Sequence, residues 1–263
     1  MLHTFAICAY KESEFLEECI KSLLAQTVRS RIFIATSTPN DYIDKLAKKY
    51  NLKVYVNSGQ GGITQDWNFA LSKVRTRFAT IAHQDDLYEP KYTEKIMKRL
   101  RTSKKPLVAF TDYYEIRNGI RYDKSTMLRI KRLMLLPMRI PFFKSSRFVR
   151  RRCMSVGDPI ICPSIMYCMD NLKQPFFSNH FLACEDWEML ERFSREKGDF
   201  LYIPERLTAH RIHEDSTTTV AVKGGIRKEE NYEMIRKFWP DLIAKMICHY
   251  YNKSEKYNNV ENV

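Results

Sequence analysis

The sequence contains no long hydrophobic run. Its longest apolar stretches, such as LMLLP at residues 133–137, are far shorter than the roughly 20 residues that a membrane-spanning helix needs. The first ten residues, MLHTFAICAY, also lack the basic start and small-residue cleavage site of a signal peptide. The 263-residue chain is nevertheless 44% hydrophobic and 13% aromatic, which is enough to build a core. We therefore expect a globular protein of the cytosol.

Paired cysteines are missing as well. The seven cysteines are an odd number, and no two of them have the C-x-x-C spacing of a zinc site or a redox centre. The sequence therefore predicts reduced, packed thiols and no disulfide framework.

Acidic residues are absent from the segment between Lys124 and Arg152, although the chain as a whole carries 31 of them. This part of the chain contributes strongly to the net charge of +13. Such a basic and apolar composition fits nucleic acid, an anionic membrane surface or a phosphorylated substrate, and the composition alone does not separate these partners. The side chains that carry the pattern are Lys131, Arg132, Leu133, Leu135, Leu136, Arg139, Phe142, Phe143, Arg150, Arg151 and Arg152.

Short β-rich runs alternate with amphipathic helical runs over the first half of the chain. HTFAICAY, RIFIATS, LKVYVN and FATIAH have strand character, and ESEFLEECIKSLLAQT, NDYIDKLAKKY and ITQDWNFALSKV lie between them with helical spacing. This alternation predicts an α/β fold with a parallel sheet covered by helices on both faces. Farther on, Asn118 and Gly119 predict a tight hairpin turn.

Glycine-rich phosphate-binding loops are absent from the places where α/β enzymes usually carry them. The turn after the first strand reads CAYKESEF and contains no glycine, which excludes a dinucleotide fold with G-x-G-x-x-G. Neither a P-loop nor a G-x-S-x-G nucleophile elbow occurs elsewhere. A bound diphosphate would therefore need positive charge from another source.

Two adjacent carboxylates, Asp85 and Asp86, follow shortly after the apolar run FATIA. Neighbouring negative charges repel each other, so such a pair usually needs a cation, hydrogen-bond donors or open water. A divalent cation held there would supply the charge that a diphosphate requires. The alternative is a solvated acidic turn that caps the next helix.

Three blocks, FAICAYKESEFLEECIKSLLAQT, HQDDLYEPKYTEKIMKRL and CEDWEMLERF, together resemble the family 2 glycosyltransferases, which are inverting enzymes of the GT-A fold. The resemblance covers roughly residues 3–215. It implies a Rossmann-like, mostly parallel sheet in a single domain, 1–223, with a nucleotide-sugar-binding half at 1–112 and an acceptor-binding half at 113–223. Residues 224–263 would then form a C-terminal helical tail.

The resemblance also implies roles for individual residues. Asp186 would be the catalytic base and Glu185 would orient sugar hydroxyls, while Asp86 and His213 would hold Mn or Mg. A structural role stays open for these residues, because acids also favour a helix N-terminus and histidines often serve as hydrogen-bonding groups. The implied donor-binding residues are Ala9, Tyr10, Glu12, Thr36, Gly61, Gly62, Gln65, Asn68, Asp85 and Asp86.

Two departures from the family pattern concern the donor. Thr36 and Ser37 stand after the second strand, where relatives often have acids that bind the base, so the base stays open. Relatives also often carry an arginine near Trp67, and none is found there in this chain.

The function implied by the resemblance is transfer of a sugar from a nucleoside-diphosphate donor, with a UDP-sugar preferred, to a saccharide or polyprenyl-linked acceptor in cell-surface polysaccharide biosynthesis. Residues 127–152 would contact the inner membrane face peripherally. Nucleic acid is not an expected partner, and oligomerisation stays open. Two alternatives are a nucleotidyltransferase, which would want a glycine-rich basic loop, and a basic nucleic-acid-binding protein, which would want a recognition motif.

Overall fold

The computed structural model describes residues 1–213 and 226–255. Within them, nine strands form one sheet: β1 His3–Ala9, β2 Arg31–Thr36, β3 Lys53–Val56, β4 Phe78–His83, β5 Leu87–Tyr88, β6 Pro106–Arg117, β7 Ile120–Tyr122, β8 Ile165–Cys168 and β9 Asp199–Ile212. The α-helices are α1 Leu16–Leu24, α2 Asp41–Lys49, α3 Ile63–Lys73, α4 Tyr92–Leu100, α5 Thr126–Met134, α6 Arg147–Cys153, α7 Glu185–Ser194, α8 Ile226–Arg236 and α9 Asp241–Glu255. None of the helices in these ranges is long and apolar enough to span a bilayer.

The strand order is β3-β2-β1-β4-β8-β6-β9-β5, and β7 pairs with β6. Strands β3, β2, β1 and β4 are parallel neighbours, and so are β6 and β9. Strand β8 is antiparallel to both of its neighbours, and β5 is antiparallel to β9. The predicted α/β fold with a mostly parallel sheet is confirmed. Because β8 reverses direction between β4 and β6, the carboxyl ends of β1, β4, β6 and β9 lie at the same edge of the sheet.

Helices cover both faces of this sheet. In β1, Phe5 and Ile7 pack with Leu16 of α1 in one core, while the intervening Ala6 packs with Trp187 of α7 in the other. This alternation follows from the two-residue side-chain period of a strand. The buried, apolar character of β1 on both faces explains why its sequence reads as a continuous hydrophobic run.

The C-terminal helices belong to the same core. Met234 and Ile235 of α8 and Ala244 of α9 are buried in the cluster that contains Trp187. The predicted boundary at residue 223 lies outside the described residues, and the predicted division at residue 112 falls inside strand β6.

The predicted hairpin is confirmed, since β6 and β7 pair around Asn118 and Gly119, both of which have positive φ angles of 50° and 76°. The runs FLYIP and LTAHRIH belong to strand β9, which ends at Ile212. Its register with β6 is irregular between Ile203 and Arg206, because Pro204 has no backbone N–H to donate to the hydrogen-bond ladder.

The basic segment 127–152 folds into nearly all of α5, two short 3-10 turns and nearly all of α6. Several of its side chains are structural, contrary to the prediction that they face a partner. Arg150 is 1% exposed and donates to the carbonyls of Ser194 and Gly198, and Arg132 pairs with Asp112 at 2.7 Å. Burial of their aliphatic stems and hydrogen bonding of their charges satisfy these groups internally.

We expect the free energy of unfolding to decrease in acid, because His3 is buried. Its ring nitrogens bond Ser30 Oγ at 2.8 Å and Thr80 Oγ1 at 3.0 Å, and burial lowers its pKa from 6.5 to about 3. Because the unfolded state binds this proton more readily, the stability present above pH 6.5 is lost as the pH falls towards 3. We expect about 2 kcal/mol of unfolding free energy to disappear between pH 7 and pH 5 through this group. Urea denaturation of His3→Gln should show a correspondingly shallower pH dependence, whereas a change at the exposed His180 should leave the slope unaltered.

Candidate active site at the carboxyl edge of the sheet

The side chain of Gln84 joins the turns after β1 and β4, and the sequence did not predict this role. Gln84 accepts from the backbone N–H of Tyr10 at 2.9 Å and donates to the Tyr10 carbonyl at 3.1 Å. These bonds fix the Tyr10 turn beside the acid pair and leave the Tyr10 ring half-exposed. Glu12, in the same turn, is exposed, and Ala9 ends the buried strand.

The acid pair is docked against the end of β9. Asp86 is fully buried, and its Oδ1 accepts from the backbone N–H of Arg211 at 2.9 Å and lies 3.3 Å from His210 Nδ1. Asp85 Oδ2 lies 2.9 Å from His213 Nε2. Burial by itself would raise the pKa of Asp85, but the hydrogen bond from His213 and the neighbouring histidine charges lower it overall. Asp85 is therefore held as a carboxylate.

Three side chains at this place fit a divalent cation. One ligand atom from each of His83, Asp85 and Asp86 lies within 4.8 Å of the others. In the described part of the chain, Asp86 Oδ2 and His83 Nε2 are buried without a hydrogen-bond partner, although Asp86 Oδ2 lies 3.5 Å from His83 Nδ1. Buried polar atoms in this condition are costly unless something outside the chain satisfies them. Imidazole nitrogen and carboxylate oxygen are ligands of first-row divalent metals.

A third carboxylate lies at the ends of β2 and β3. Asp66 of α3 accepts from Ser37 Oγ at 2.7 Å and from Asn57 Nδ2 at 2.8 Å. Thr36 itself is buried, and its hydroxyl accepts from the backbone N–H of Thr38 at 3.0 Å. An acid therefore does occupy the edge beside β2, but it comes from α3 and not from the strand's own turn.

The glycine loop before α3 approaches the same edge. Gly62 has a φ of 140°, and a Cβ built on it would lie 2.4 Å from Gln65 Oε1, so a larger residue would strain the backbone and displace Gln65. Gly61 lies beside Ser37. These contacts keep the loop backbone close to the strand ends.

Asn68, predicted to contact the donor, instead binds the chain ahead of α7. Its Oδ1 accepts from the backbone N–H groups of Phe176 and Phe177, both at 3.1 Å, and its Nδ2 donates to the Phe177 carbonyl at 2.8 Å. Both ends of the amide are thereby used in the protein interior, because the 176–177 backbone has no partner in a helix or strand ladder there.

The second acid group begins helix α7. Asp186 is partly exposed and its Oδ1 accepts from the backbone N–H of Trp187 at 2.9 Å, while the Trp187 indole is anchored on the Met154 carbonyl at 3.1 Å. Glu185 is 5% exposed, and burial together with the Asp186 charge raises its pKa to about 8. At neutral pH Glu185 is therefore mainly protonated.

Residues of the basic segment and of β6 connect the two acid groups. Tyr113 lies edge-on to His210, with ring centroids 6.4 Å apart, and Lys131 Nζ lies 5.5 Å from the Tyr113 ring centroid. Burial raises the pKa of Asp158 to about 7, the Asp186 charge adds to this increase, and Lys131 opposes it. Asp158, which is buried, therefore lies within electrostatic range of both Lys131 and Asp186.

The sequence model of the family described as Glycosyl transferase family 2 matches residues 4–176, which is more than half of the chain. The chain belongs to this family. The resemblance recognised from its sequence motifs is confirmed.

Solved structures show the same fold in relatives of low sequence identity. TarS of S. aureus in complex with UDP-GlcNAc is 15% identical, with a TM-score of 0.63, and the match covers 98% of this chain and 73% of that one. The mannosyltransferase PcManGT of Pyrobaculum calidifontis in complex with GDP-Man and Mn2+ is 13% identical, with a TM-score of 0.66, and covers 95% and 70%. None of the curated proteins matches in sequence. At these identities the likeness shows the fold alone, which is GT-A.

This family 2 glycosyltransferase thus has its two acid groups on elements that meet one edge of the sheet. His83, Gln84 and Asp158 were missed as site residues. His83 and Gln84 stand directly before the acid pair in HQDD, which is a usable signal, but nothing local marks Asp158. His213 contacts Asp85, and the residue paired with Asp86 is His210.

Proposed function

We propose that this family 2 glycosyltransferase transfers a sugar, with inversion, from a nucleoside-diphosphate donor to an acceptor hydroxyl. The observation that carries the proposal is that two pairs of acids lie at one edge of the sheet and have different hydrogen-bond partners. Asp86 is buried and Asp85 half-buried, and each contacts a histidine, whereas Asp186 is half-buried at the start of α7 and accepts from the backbone N–H of Trp187. The UDP-GlcNAc and GDP-Man bound to TarS and PcManGT support a nucleotide-sugar donor.

The donor diphosphate would lie over the acid pair. Asp86 Oδ2 and His83 would hold Mn or Mg, with Asp85 and His213 beside them. When bound, the cation supplies positive charge where the leaving diphosphate develops negative charge. The charge of the cation would thus take the place of the arginine that relatives often carry near Trp67.

Asp186 would accept the proton of the acceptor hydroxyl. As that oxygen forms its bond to the anomeric carbon from the face opposite the diphosphate, the bond from the anomeric carbon to the phosphate oxygen breaks, and the proton stays on Asp186. Glu185, protonated at neutral pH, would donate a hydrogen bond to a sugar oxygen. Burial, which raises the pKa of Glu185, thus suits this residue to a donor role beside Asp186.

The base of the donor would meet Asp66. A carboxylate accepts from the ring N–H of uracil, thymine or guanine, whereas neutral cytosine has no such ring donor. Asp66 therefore favours a UDP-, dTDP- or GDP-sugar over a CMP-sugar, and we choose UDP as the expected donor.

A thermal-shift panel of UDP, GDP, dTDP and CMP, each with and without Mn, tests the donor proposal. Saturation at a hundredfold excess over Kd stabilises the folded state by about 2.7 kcal/mol. A Mn-dependent shift with UDP is expected. A shift with GDP alone would change the assigned base, and no shift with any of the four would contradict a nucleotide-sugar donor.

The acceptor would be a saccharide or a polyprenyl-linked glycan of cell-surface polysaccharide assembly, presented at an anionic membrane. A set of exposed side chains on α5, the 3-10 turns and α6, here called the basic apolar surface, supports this acceptor: Arg129, Ile130, Leu133, Leu136, Arg139, Ile140, Phe142, Arg147, Phe148 and Arg152. Phe142 and Phe148 are 84% and 69% exposed, and Arg152 stacks on Phe148. Exposed aromatic rings among arginines are typical of interfacial elements.

Co-sedimentation with vesicles tests the membrane proposal. The wild type should sediment with vesicles that contain anionic lipid and not with neutral ones, because each arginine near the surface adds about 1 kcal/mol. Phe142→Ser combined with Phe148→Ser should lose most of this binding. Leu24→Ser, at an apolar position on α1 that is 50% exposed, is the control. Binding that is independent of anionic lipid would contradict the proposal.

A further inference from the structure

Helix α8, which lies beyond the GT-A sheet in the chain, contacts the turn that leads into α7. The carboxylate of Glu230 accepts from the backbone N–H of Leu182 at Oε1 and from that of Ala183 at Oε2, both at 2.8 Å. Glu230 is only 8% exposed. Two charge-assisted bonds from one carboxylate to neighbouring amides define both the position and the orientation of this turn.

Two further residues of α8 contact the same turn. Arg227 Nη1 donates to the Ala183 carbonyl at 3.0 Å, and Cys184 Sγ donates to Asn231 Oδ1 at 3.5 Å. Positions 227, 230 and 231 are spaced i, i+3 and i+4, so they lie on one face of the helix. One turn of this face, residues 227–231, therefore makes hydrogen bonds to each of residues 182–184.

The start of α7 depends on such external support. Its N-cap residue is Cys184, whose side chain makes no capping hydrogen bond to the helix. Helix starts usually gain about 1 kcal/mol from a Ser, Thr, Asp or Asn at this position. In this protein the carboxylate that holds the residues before α7 is that of Glu230 on α8. Glu185 and Asp186 come directly after the N-cap residue Cys184.

We infer that Glu230 is a positioning residue for the catalytic base. By holding the 182–183 backbone, it sets the first turn of α7 and with it the place of the Asp186 carboxylate relative to the acceptor oxygen. The inference rests on the assignment of Asp186 as the base. It makes the C-terminal helices a part of the catalytic unit and not an appended tail.

Steady-state kinetics of Glu230→Ala and Glu230→Gln test this role, with Glu229→Ala as the control. Glu229 is the preceding residue on the same helix, carries the same charge and is exposed. We expect Glu230→Ala to lower kcat about 100-fold, since a displacement on the order of 1 Å has that effect, while the donor KM stays within about twofold. Glu230→Gln should recover part of the loss, because its amide oxygen still accepts one of the two N–H groups.

Hydrogen exchange provides a readout that does not require turnover. Amides 182 and 183 should exchange faster in Glu230→Ala than in Glu229→Ala, while the amides of β1 and β4 stay protected. If the wild type transfers no sugar, the proposed function fails, and this exchange result still decides whether Glu230 holds the turn. Unchanged exchange, a kcat equal to that of Glu229→Ala, or a parallel loss of kcat and nucleotide binding would each overturn the positioning role.

Discussion

Replacing Asp186 with Asn is expected to lower kcat for sugar transfer by roughly 10³-fold, within the range of about 10² to 10⁴ that a general base contributes. The amide oxygen of Asn can still accept from the Trp187 backbone N–H, as Asp186 Oδ1 does at 2.9 Å, so the first turn of α7 should keep its conformation. What the substitution removes is the capacity to take a proton. The donor KM and the nucleotide-induced thermal shift should therefore be nearly unchanged.

Glu196→Gln is the matched control for this experiment, since it removes one carboxylate just beyond the other end of α7 at an exposed position. It should leave kcat unaltered. Turnover of Asp186→Asn at the rate of this control would remove Asp186 from the role of base. An equal loss of turnover and nucleotide binding would indicate a folding defect instead.

Replacing Asp86 with Asn should abolish the Mn-dependent part of nucleotide binding. In the wild type, Asp86 Oδ1 anchors the backbone of Arg211 at 2.9 Å, whereas Oδ2 is the buried oxygen without a hydrogen-bond partner among the described residues. The carbonyl oxygen of Asn can keep the first contact. Its NH2 group would take the place of Oδ2, and an amide NH2 donates hydrogen bonds but offers a cation no lone pair. We expect the stabilisation by nucleotide and Mn, about 2.7 kcal/mol at a hundredfold excess over Kd, to fall to the level seen with nucleotide alone.

Thermal denaturation with UDP and Mn, compared with UDP and EDTA, measures this effect. Asp44→Asn, an exposed acid on α2, controls for the loss of one charge. A full Mn-dependent shift in Asp86→Asn would show that the metal is held elsewhere. A shift lost already in the absence of Mn would instead assign Asp86 to the nucleotide.

The sequence was most informative where a property depends on neighbours along the chain. The alternation of β-rich and helical runs predicted the α/β fold, because side-chain periods of 2 and 3.6 are local consequences of backbone geometry. The hairpin at Asn118 and Gly119 was predicted for the same reason, as both residues tolerate positive φ. The acid pairs at 85–86 and 185–186 were recognised from the order of their blocks.

Properties that depend on distant elements were harder to predict. Arg150 looks like a surface cation in FVRRRC, but the structure buries it against the carbonyl of Ser194, which ends α7, and that of Gly198 in the following turn. Asn68 was assigned to the donor by its place after the glycine loop, whereas its amide binds residues more than 100 positions away. Periodicity indicates that a side chain faces inward or outward, but not which partner it meets.

The sequence by itself therefore determined the fold class, the family and the presence of two acid groups at strand and helix ends, because each is encoded within a few turns of chain. Only the tertiary structure decided which groups surround those acids. His210 of β9 and His213 just after it reach the acid pair, Asp66 reaches the end of β2 from α3, and Glu230 reaches the start of α7 from α8. The physical reason is that burial, ion pairing and hydrogen bonding act between groups close in space, and packing brings together residues such as Asp85 and His213, which are 128 positions apart in the chain.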